Sequence, residues 1–307
     1  MRPLFSLPHD TRIPFMRLRR ITIGLATVLS VLSIVLFFYA GLNYGIDFRG
    51  GILIEVRATQ GTADLASMRT KLGGLDLGEV ALQNFGKNED VLIRIVDQGN
   101  EQANNEAVDA VRKALGDSYE FRRVEVVGPK VGGELIQAGA LAAILAMLGI
   151  AVYVWFRFEW QFAIVAFVTT LHDVVTTIGV FALTQIDFNL ATVAAVLTIA
   201  GYSINDTVVV FDRIRESLRK YKTMPLPELM DRAVNDTLSR TLMTSATTFI
   251  AVLALTLVGG EVIRSFTIAM LWGIVIGTFS SIFIAAPMLL LLPPPRATEP
   301  AAAKAMP

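Results

Sequence analysis

The sequence predicts a membrane protein in which six transmembrane helices form a bundle and a small α+β domain is inserted between the first and second helix. Two observations lead to this fold class. Six apolar stretches of 18 to 28 residues contain two acidic residues and no lysine or arginine, although charged residues make up 18% of the 307-residue chain. These lengths suit a hydrocarbon core that takes about 20 helical residues to cross. A polar connection of 94 residues separates the first two stretches and is long enough for a domain.

The predicted spans cover residues 21–40, 135–156, 162–183, 190–211, 241–258 and 265–292. Loops rich in Lys and Arg remain cytoplasmic, so the loops predict the orientation. Residues 1–20 carry five arginines and residues 212–240 carry seven basic residues, whereas residues 184–189 carry none. Both termini are therefore predicted to be cytoplasmic, including a Pro- and Ala-rich tail at 293–307 that we expect to be disordered. Residues 41–134 then form a periplasmic domain if the cell is Gram-negative.

The 41–134 connection contains both strand-like and helical periodicity. Residues 51–56 alternate in side-chain polarity, as a half-buried strand does. The following segments are a helix at 63–72, strands at 79–85 and 91–96 joined by a turn at 86–90, a helix at 104–115 and a strand at 119–127. The order βαββαβ predicts a ferredoxin-like α+β domain with both helices on one face of the sheet.

Prolines predict two local features of the helices. Residues 227–234 in the cytoplasmic loop begin with proline and have an amphipathic pattern. We therefore predict a short helix there that lies along the membrane surface. Pro287 is expected to kink the sixth span.

The composition excludes several classes of function. The chain has no cysteine, so it has no thiol chemistry, disulfide or Cys-based zinc site, and its two histidines are too few for a His-rich metal site. No glycine-rich phosphate loop with its lysine occurs, so no nucleotide motor is encoded. We expect no enzymatic activity, no cofactor or metal and no nucleic acid partner. Energy must come from outside the chain or from an ion gradient.

Asp173 lies near the middle of the third predicted span, next to His172. A charged carboxylate at the centre of a bilayer costs about 2.5 to 3.5 kcal/mol on insertion scales, so we expect this residue to have a function. The alternative is a protonated carboxyl that hydrogen-bonds a neighbouring helix and serves packing alone.

The fourth predicted span contains an unusually polar run, in which Tyr202, Ser203 and Asn205 precede Asp206. These hydrogen-bonding groups favour a wet crevice over contact with lipid. The alternative places Asp206 close to the water interface, because the charged end of the span at Asp212 is only about 9 Å further along the helix.

Arg240 opens the fifth predicted span and has two interpretations. It either snorkels to the headgroups as a cytoplasmic anchor, or it faces Asp206, because both residues lie near the cytoplasmic ends of consecutive spans. In the second case the arginine would modulate the protonation of the carboxylate. The hydroxyl residues Ser245, Ser280 and Ser281 are interpreted as interhelical packing groups.

Four motifs occur in order along the chain: Gly-Ile-Asp-Phe-Arg-Gly-Gly at 45–51, Gly-Tyr-Ser-Ile-Asn-Asp-Thr at 201–207, Phe-Asp-Arg-Ile-Arg-Glu at 211–216 and Arg-Thr-Leu-Met-Thr-Ser at 240–245. Together they resemble the SecF family of protein-export membrane subunits, which is related to the resistance-nodulation-division (RND) transporters. The resemblance extends over about residues 16–292, with the motifs in the order and spacing typical of the family.

The resemblance implies an RND-like half of a twelve-span unit that forms with SecD in the bacterial inner membrane and associates with YajC and the SecYEG channel. It also implies that this unit uses the proton-motive force to assist late steps of preprotein translocation. The matching positions are the proton-pathway residues Asp206, Arg240, Asp173 and His172, and the structural residues Asp47, Gly50 and Gly51. The two glycines would permit a tight turn at the membrane surface.

Two other functions compete with this interpretation. A proton-coupled exporter of the RND type would move a lipid or a small molecule, but those proteins usually carry two large outer domains on one twelve-span chain. An intramembrane aspartyl protease would use Asp173 and Asp206 as a pair of facing carboxyls. Copurification with a SecD-like partner would favour the translocase over the exporter, whereas cleavage of a membrane peptide by the solubilised protein would favour the protease.

Overall fold

The computed structural model describes residues 11–293, so the first ten residues and the predicted tail from residue 294 onward lie outside the described chain. Six helices are long and apolar enough to cross a membrane, which confirms the predicted fold class. In chain order the elements are a 3-10 turn (Phe15–Leu18), α1 (Arg19–Ala40), α2 (Ile46–Arg49), β1 (Gly51–Ala58), α3 (Leu65–Gly73), β2 (Val80–Phe85), β3 (Lys87–Ile95), α4 (Glu101–Leu115), a 3-10 turn (Gly116–Ser118), β4 (Tyr119–Val127), α5 (Pro129–Arg157), α6 (Trp160–Thr184), α7 (Leu190–Lys220), α8 (Leu226–Val258), a 3-10 turn (Glu261–Ile263), α9 (Arg264–Ser280), a π-helical turn (Ser281–Ala285) and α10 (Ala286–Leu289).

The α/β domain has the predicted element order βαββαβ, with an antiparallel sheet in the order β2-β3-β1-β4. Helices α3 and α4 cover one face, where Ile52, Ile54 and Val56 of the central strand β1 are fully buried. The alternate residues of β1 and β3 point to the opposite, helix-free face. That face lies over the loops that join α6 to α7 and α8 to α9, and it encloses with them a cavity of about 370 Å³. We call this side of the bundle the outer side.

The turn between β2 and β3 is shorter than predicted. The sequence indicated a turn over residues 86–90, but β3 begins at Lys87, which pairs directly with Phe85. Gly86 reverses the chain alone with a φ of +79°, a conformation that residues with a side chain rarely adopt. Asp90 belongs to the strand because it pairs across the sheet with Arg57.

The prediction that residues 227–234 form a short helix along the membrane surface is wrong. This segment is the first part of α8, one continuous helix of 33 residues that also forms the fifth span. Its apolar residues Leu229, Met230 and Val234 are buried in a cluster with Phe15 and with the inner end of α7, so they pack against protein and not against lipid. The proline at the start of α8 occupies the first turn, where its missing N–H costs no hydrogen bond.

The helices of the bundle are unequally buried. Helices α6, α7 and α9 are packed against each other, whereas α1, α5 and α8 expose many apolar side chains to lipid or to another membrane protein. The close approach of α9 to α7 depends on glycine, because a Cβ atom at Gly273 would overlap the side chain of Ile199. The sixth span is irregular before Pro287, where the helix widens into the π-helical turn.

An ion pair links the two central strands of the α/β domain. The Arg57 guanidinium donates to both carboxylate oxygens of Asp90, at 2.6 and 2.8 Å. The Asp90 side chain is almost fully enclosed, whereas that of Arg57 is one-third exposed. The hydrogen bond from Arg57 holds the pKa of Asp90 below its ordinary range. The pair therefore stabilises the folded domain only while Asp90 is ionised.

Acidification is expected to weaken the α/β domain through Asp90. The contribution of the pair is complete above the unfolded-state pKa of about 3.9 and is lost as the pH falls through the lower folded-state pKa. Asp90→Asn should lower the local free energy of unfolding by about 1 kcal/mol at pH 7 and remove most of this pH dependence. Amide protection factors of β1 and β3, measured on the detergent-solubilised protein from pH 7 to pH 3, test this. The exposed Asp109→Asn serves as control, and an equal effect of both variants contradicts the assignment.

Candidate functional site

Asp173 lies on α6 at the centre of the bundle and is fully buried. Its Oδ2 atom accepts hydrogen bonds from the hydroxyls of Ser203 on α7, at 2.5 Å, and Ser280 on α9, at 2.8 Å. Its Oδ1 atom is buried and has no hydrogen-bond partner in the described part of the chain. One carboxyl group thus connects three helices and retains an unused oxygen.

Asp206 lies on α7, about one helical turn after Ser203, and is also buried. Its only hydrogen bond among the described residues is a long one of 3.4 Å, donated by Ser245 of α8. Ser245 in turn accepts a hydrogen bond of 2.7 Å from the hydroxyl of Thr278 on α9. Asp206 is therefore held more loosely than Asp173, at the meeting point of α7, α8 and α9.

Arg240 lies on α8, about one turn before Ser245, with an exposed side chain. Its guanidinium lies near enough to the carboxyl of Asp206 for an electrostatic interaction. Among residues 11–293 the two groups form no ion pair within 4.0 Å. The structure thus places the arginine in the field of the carboxylate without direct contact.

Of the other residues predicted for the polar pathway, one contacts the carboxyl of Asp173 and the rest do not. Ser203 binds Asp173, but His172 points away from that carboxyl and its Nδ1 atom lies 2.7 Å from the hydroxyl of Ser30 on α1. Adjacent residues of a helix point in directions about 100° apart, which explains the separation of His172 from Asp173. Tyr202 is half-buried, its hydroxyl has no hydrogen-bond partner among residues 11–293, and Asn205 is exposed.

Three hydroxyl residues bind the carboxyls directly or through another hydroxyl, although the sequence pattern indicates only packing groups at Ser245 and Ser280 and no role for Thr278. Ser245 and Ser280 bind Asp206 and Asp173 directly, and Thr278 extends the first of these contacts. A related contact joins Thr207 to Ser281 at 2.8 Å, at the start of the π-helical turn. Widened turns of this kind occur often at functional sites. The sequence shows that these hydroxyl residues lie within apolar spans. It does not show which face of the helix they occupy, so their contacts with the carboxyls could not be predicted.

The structural motif after the first span connects the α/β domain to the bundle. The carboxylate of Asp47 accepts a hydrogen bond of 2.9 Å from the backbone N–H of Leu190, at the N-terminus of α7. Gly50 and Gly51 have φ angles of +75° and +120°, and a Cβ atom at Gly51 would lie 2.6 Å from the carbonyl oxygen of Ile95. Glycine is therefore required where the chain turns from α2 into the sheet.

This geometry suits proton exchange better than hydrolysis. Hydroxyl groups both donate and accept hydrogen bonds, so serines and threonines beside two buried carboxyls can carry protons over short distances. An aspartyl protease needs two carboxyls that share a proton. Here Asp173 and Asp206 each bind hydroxyls of other helices, and no hydrogen bond between the two is present in the described chain.

Comparison with known proteins agrees with this architecture. The family model "Protein export membrane protein SecD/SecF, C-terminal" matches residues 107–293, and the "SecD/SecF GG Motif" matches residues 35–62. The chain belongs to the SecD/SecF family. It is a multi-pass membrane protein whose short glycine motif contains Gly50 and Gly51 and whose C-terminal match contains both buried carboxyls.

Individual members of the SecD/SecF family show how much of the protein is shared. The chain is 46% identical to the protein translocase subunit SecF of Rickettsia akari, with 94% of each chain covered. It is 45% identical to the protein translocase subunit SecDF of Brucella abortus, but covers only 38% of that protein. The crystal structure of SecDF from Thermus thermophilus superposes with a TM-score of 0.83 at 32% identity, over 94% of this chain and 39% of that one.

Removing one hydroxyl from Asp173 is expected to destabilise the bundle. Ser280→Ala leaves the carboxyl with a single donor and should cost about 1 kcal/mol, or about 2 °C in the unfolding midpoint of a protein of this size. Thermal unfolding in detergent measures this. Ser33→Ala is the matched control, because Ser33 is also buried but its hydroxyl, within the described part of the chain, donates only to the carbonyl of Leu29 in its own helix. Equal midpoints for the two variants contradict a stabilising contact.

Proposed function

We propose that this chain is a SecF-like accessory subunit of the Sec protein translocase, which with a SecD-like partner uses the proton-motive force to assist late steps of preprotein translocation. It works without a cofactor and without enzymatic activity of its own. The pair of buried carboxyls on α6 and α7, each bound by hydroxyls from other helices, is the observation that carries the proposal. Family membership supports the translocase role, and the carboxyls support the proton coupling.

The energetics are sufficient for a conformational step. A proton that crosses a potential of 100 mV releases about 2.3 kcal/mol, which corresponds to about 50-fold in an equilibrium. Asp206 is the exchangeable group in the proposal, because its long hydrogen bond from Ser245 is easily broken. Arg240 modulates the protonation of Asp206 by its charge, and Asp173 holds α6, α7 and α9 together while it titrates or remains neutral.

A SecD-like partner completes the proposed unit. Relatives of the SecDF type contain a region similar to this chain together with a longer remainder in one polypeptide. The exposed apolar sides of α1, α5 and α8 offer the surface on which a second set of spans can pack. We propose that the resulting unit lies in the bacterial inner membrane with its α/β domain in the periplasm and both termini in the cytoplasm, and that it associates with SecYEG, with YajC and with the translocating preprotein.

Replacement of Asp206 by Asn tests the proton coupling. The amide keeps the size of the side chain but cannot exchange a proton, so export driven by the proton gradient should fall by up to about 50-fold, while export driven by ATP alone persists. The measurement is preprotein translocation into membrane vesicles that contain the partner complex, with and without an uncoupler. Asp212→Asn is the matched control, because this carboxylate lies further along the same helix and is exposed. Full gradient-dependent export by Asp206→Asn in an intact complex refutes the proposal.

The alternative to the translocase role is a proton-coupled exporter of lipids or small molecules. Purification from native membranes distinguishes these two functions. A stable complex with a SecD-like protein supports the translocase role, whereas a homo-oligomer that lowers the cellular content of a dye or drug supports the exporter.

A further inference from the structure

The segment that leaves the first span is joined to the loop between α6 and α7. The backbone N–H of Gly45 donates to the carbonyl of Phe188 at 2.9 Å, and the N–H of Phe188 donates to the carbonyl of Asn43 at 2.8 Å. The ring of Phe188 also contacts the rings of Tyr44 and Phe48. These contacts fasten the loop to the end of α1 on the outer side of the bundle.

Asp187, in the same loop, is bound from two directions. Its Oδ1 atom accepts a hydrogen bond of 2.8 Å from the amide of Asn43, and its Oδ2 atom is bound by the guanidinium of Arg94. Asn43 follows the first span, whereas Arg94 projects from the helix-free face of the sheet, on β3. We call Asn43, Arg94 and Asp187 the outer joint, since they connect α1, the sheet and the α6–α7 loop.

The outer joint is partly shielded from water. The side chains of Arg94 and Asp187 are 23% and 31% exposed. The joint borders the cavity under the sheet, which Asp187 lines. An ion pair with restricted access to water and with a third, hydrogen-bonded partner is more strongly oriented than an isolated surface pair.

The position of the joint gives it a mechanical role. The loop of residues 185–189 connects the two helices that carry Asp173 and Asp206. Any tilt or rotation of this helical hairpin moves its loop, because the two helices are joined by only the five residues 185–189. Gln185 and Phe188 also bind the segment that follows α1, so the end of α1 moves with the loop. The sheet then receives that displacement through the contact between Asp187 and Arg94.

We propose that the outer joint is a rigid coupling element that transmits movement of the α6–α7 hairpin to the α/β domain. Arg94 and Asp187 are positioning residues in this role and take no part in proton transfer. The inference rests on the proposed function, because it assumes that protonation of the hairpin carboxyls drives the movement. The inference adds to the proposed function the residues that connect the moving hairpin to the α/β domain.

Loss of the joint should separate proton flux from export. In vesicles with the partner complex, Arg94→Gln and Asp187→Asn should each reduce the gradient-dependent part of export about fivefold or more, the lower end of typical coupling between distant sites, while proton flux persists. Arg57→Gln is the matched control, since it removes an arginine from an ion pair of the same sheet that does not reach the loops. Gradient-dependent export that stays at the wild-type level in both joint variants overturns the proposal, and so does a parallel loss of proton flux.

The same assay keeps this inference apart from the proposed function. If Asp206→Asn retains gradient-dependent export, the proton-coupling proposal fails. If Asp206→Asn loses it and both joint variants retain it, the proton coupling stands and the outer joint is refuted.

A cross-linking experiment tests whether the joint is rigid. The chain contains no cysteine, so Arg94→Cys together with Asp187→Cys introduces the only two thiols of this subunit. With a cysteine-free partner, a short reagent that bridges the two thiols should restore most of the gradient-dependent export that the unbridged double variant lacks. A bridged protein that remains as inactive as the unbridged one, in an intact complex, shows that the contact must open and overturns the rigid coupling.

Discussion

A carboxyl group inside a bilayer needs polar partners, and this requirement organises the bundle. Asp173 is fully enclosed, and its hydroxyl partners come from two other helices, so α6, α7 and α9 must meet at one level. The meeting is possible because α9 presents glycine toward α7. A Cβ atom at Gly277 would lie only 3.1 Å from that of Ser203. Hydrogen bonding and close packing thus support each other at the same crossing.

The polar contacts continue toward the inner side of the bundle. Ser203 binds Asp173, and Asp206 and Thr207 lie about one turn further along the same helix. Thr207 contacts Ser281, the first residue of the π-helical turn that precedes α10. A π-helical turn adds a residue to the helix and so shifts the faces that follow it. The consecutive residues Ser280 and Ser281 point in different directions, as adjacent residues of a helix do, and so bind neighbours on two helices.

The sequence predicted what depends on local pattern and missed what depends on distant packing. Span lengths, the βαββαβ order and the special positions of Asp173 and Asp206 all follow from periodicity and from the cost of charge in lipid. The contact between Ser280 and Asp173 joins residues 107 positions apart, and its existence depends on the rotation of α9, which an almost uniformly apolar span does not reveal. The continuity of α8 was missed for a related reason. A proline suggested a separate helix at 227–234, whereas burial against Phe15 extends the span helix through it.

The unequal binding of the two carboxyls distinguishes their roles in the proposed mechanism. Asp173 has two hydroxyl donors at 2.5 and 2.8 Å, whereas Asp206 has one at 3.4 Å and a distant arginine. Arg240 and Asn205 are exposed beside Asp206 on the surface formed by α7 and α8. A cation and an amide are costly against lipid, so this surface suits contact with water or with another protein. In the proposed complex the SecD-like partner covers it.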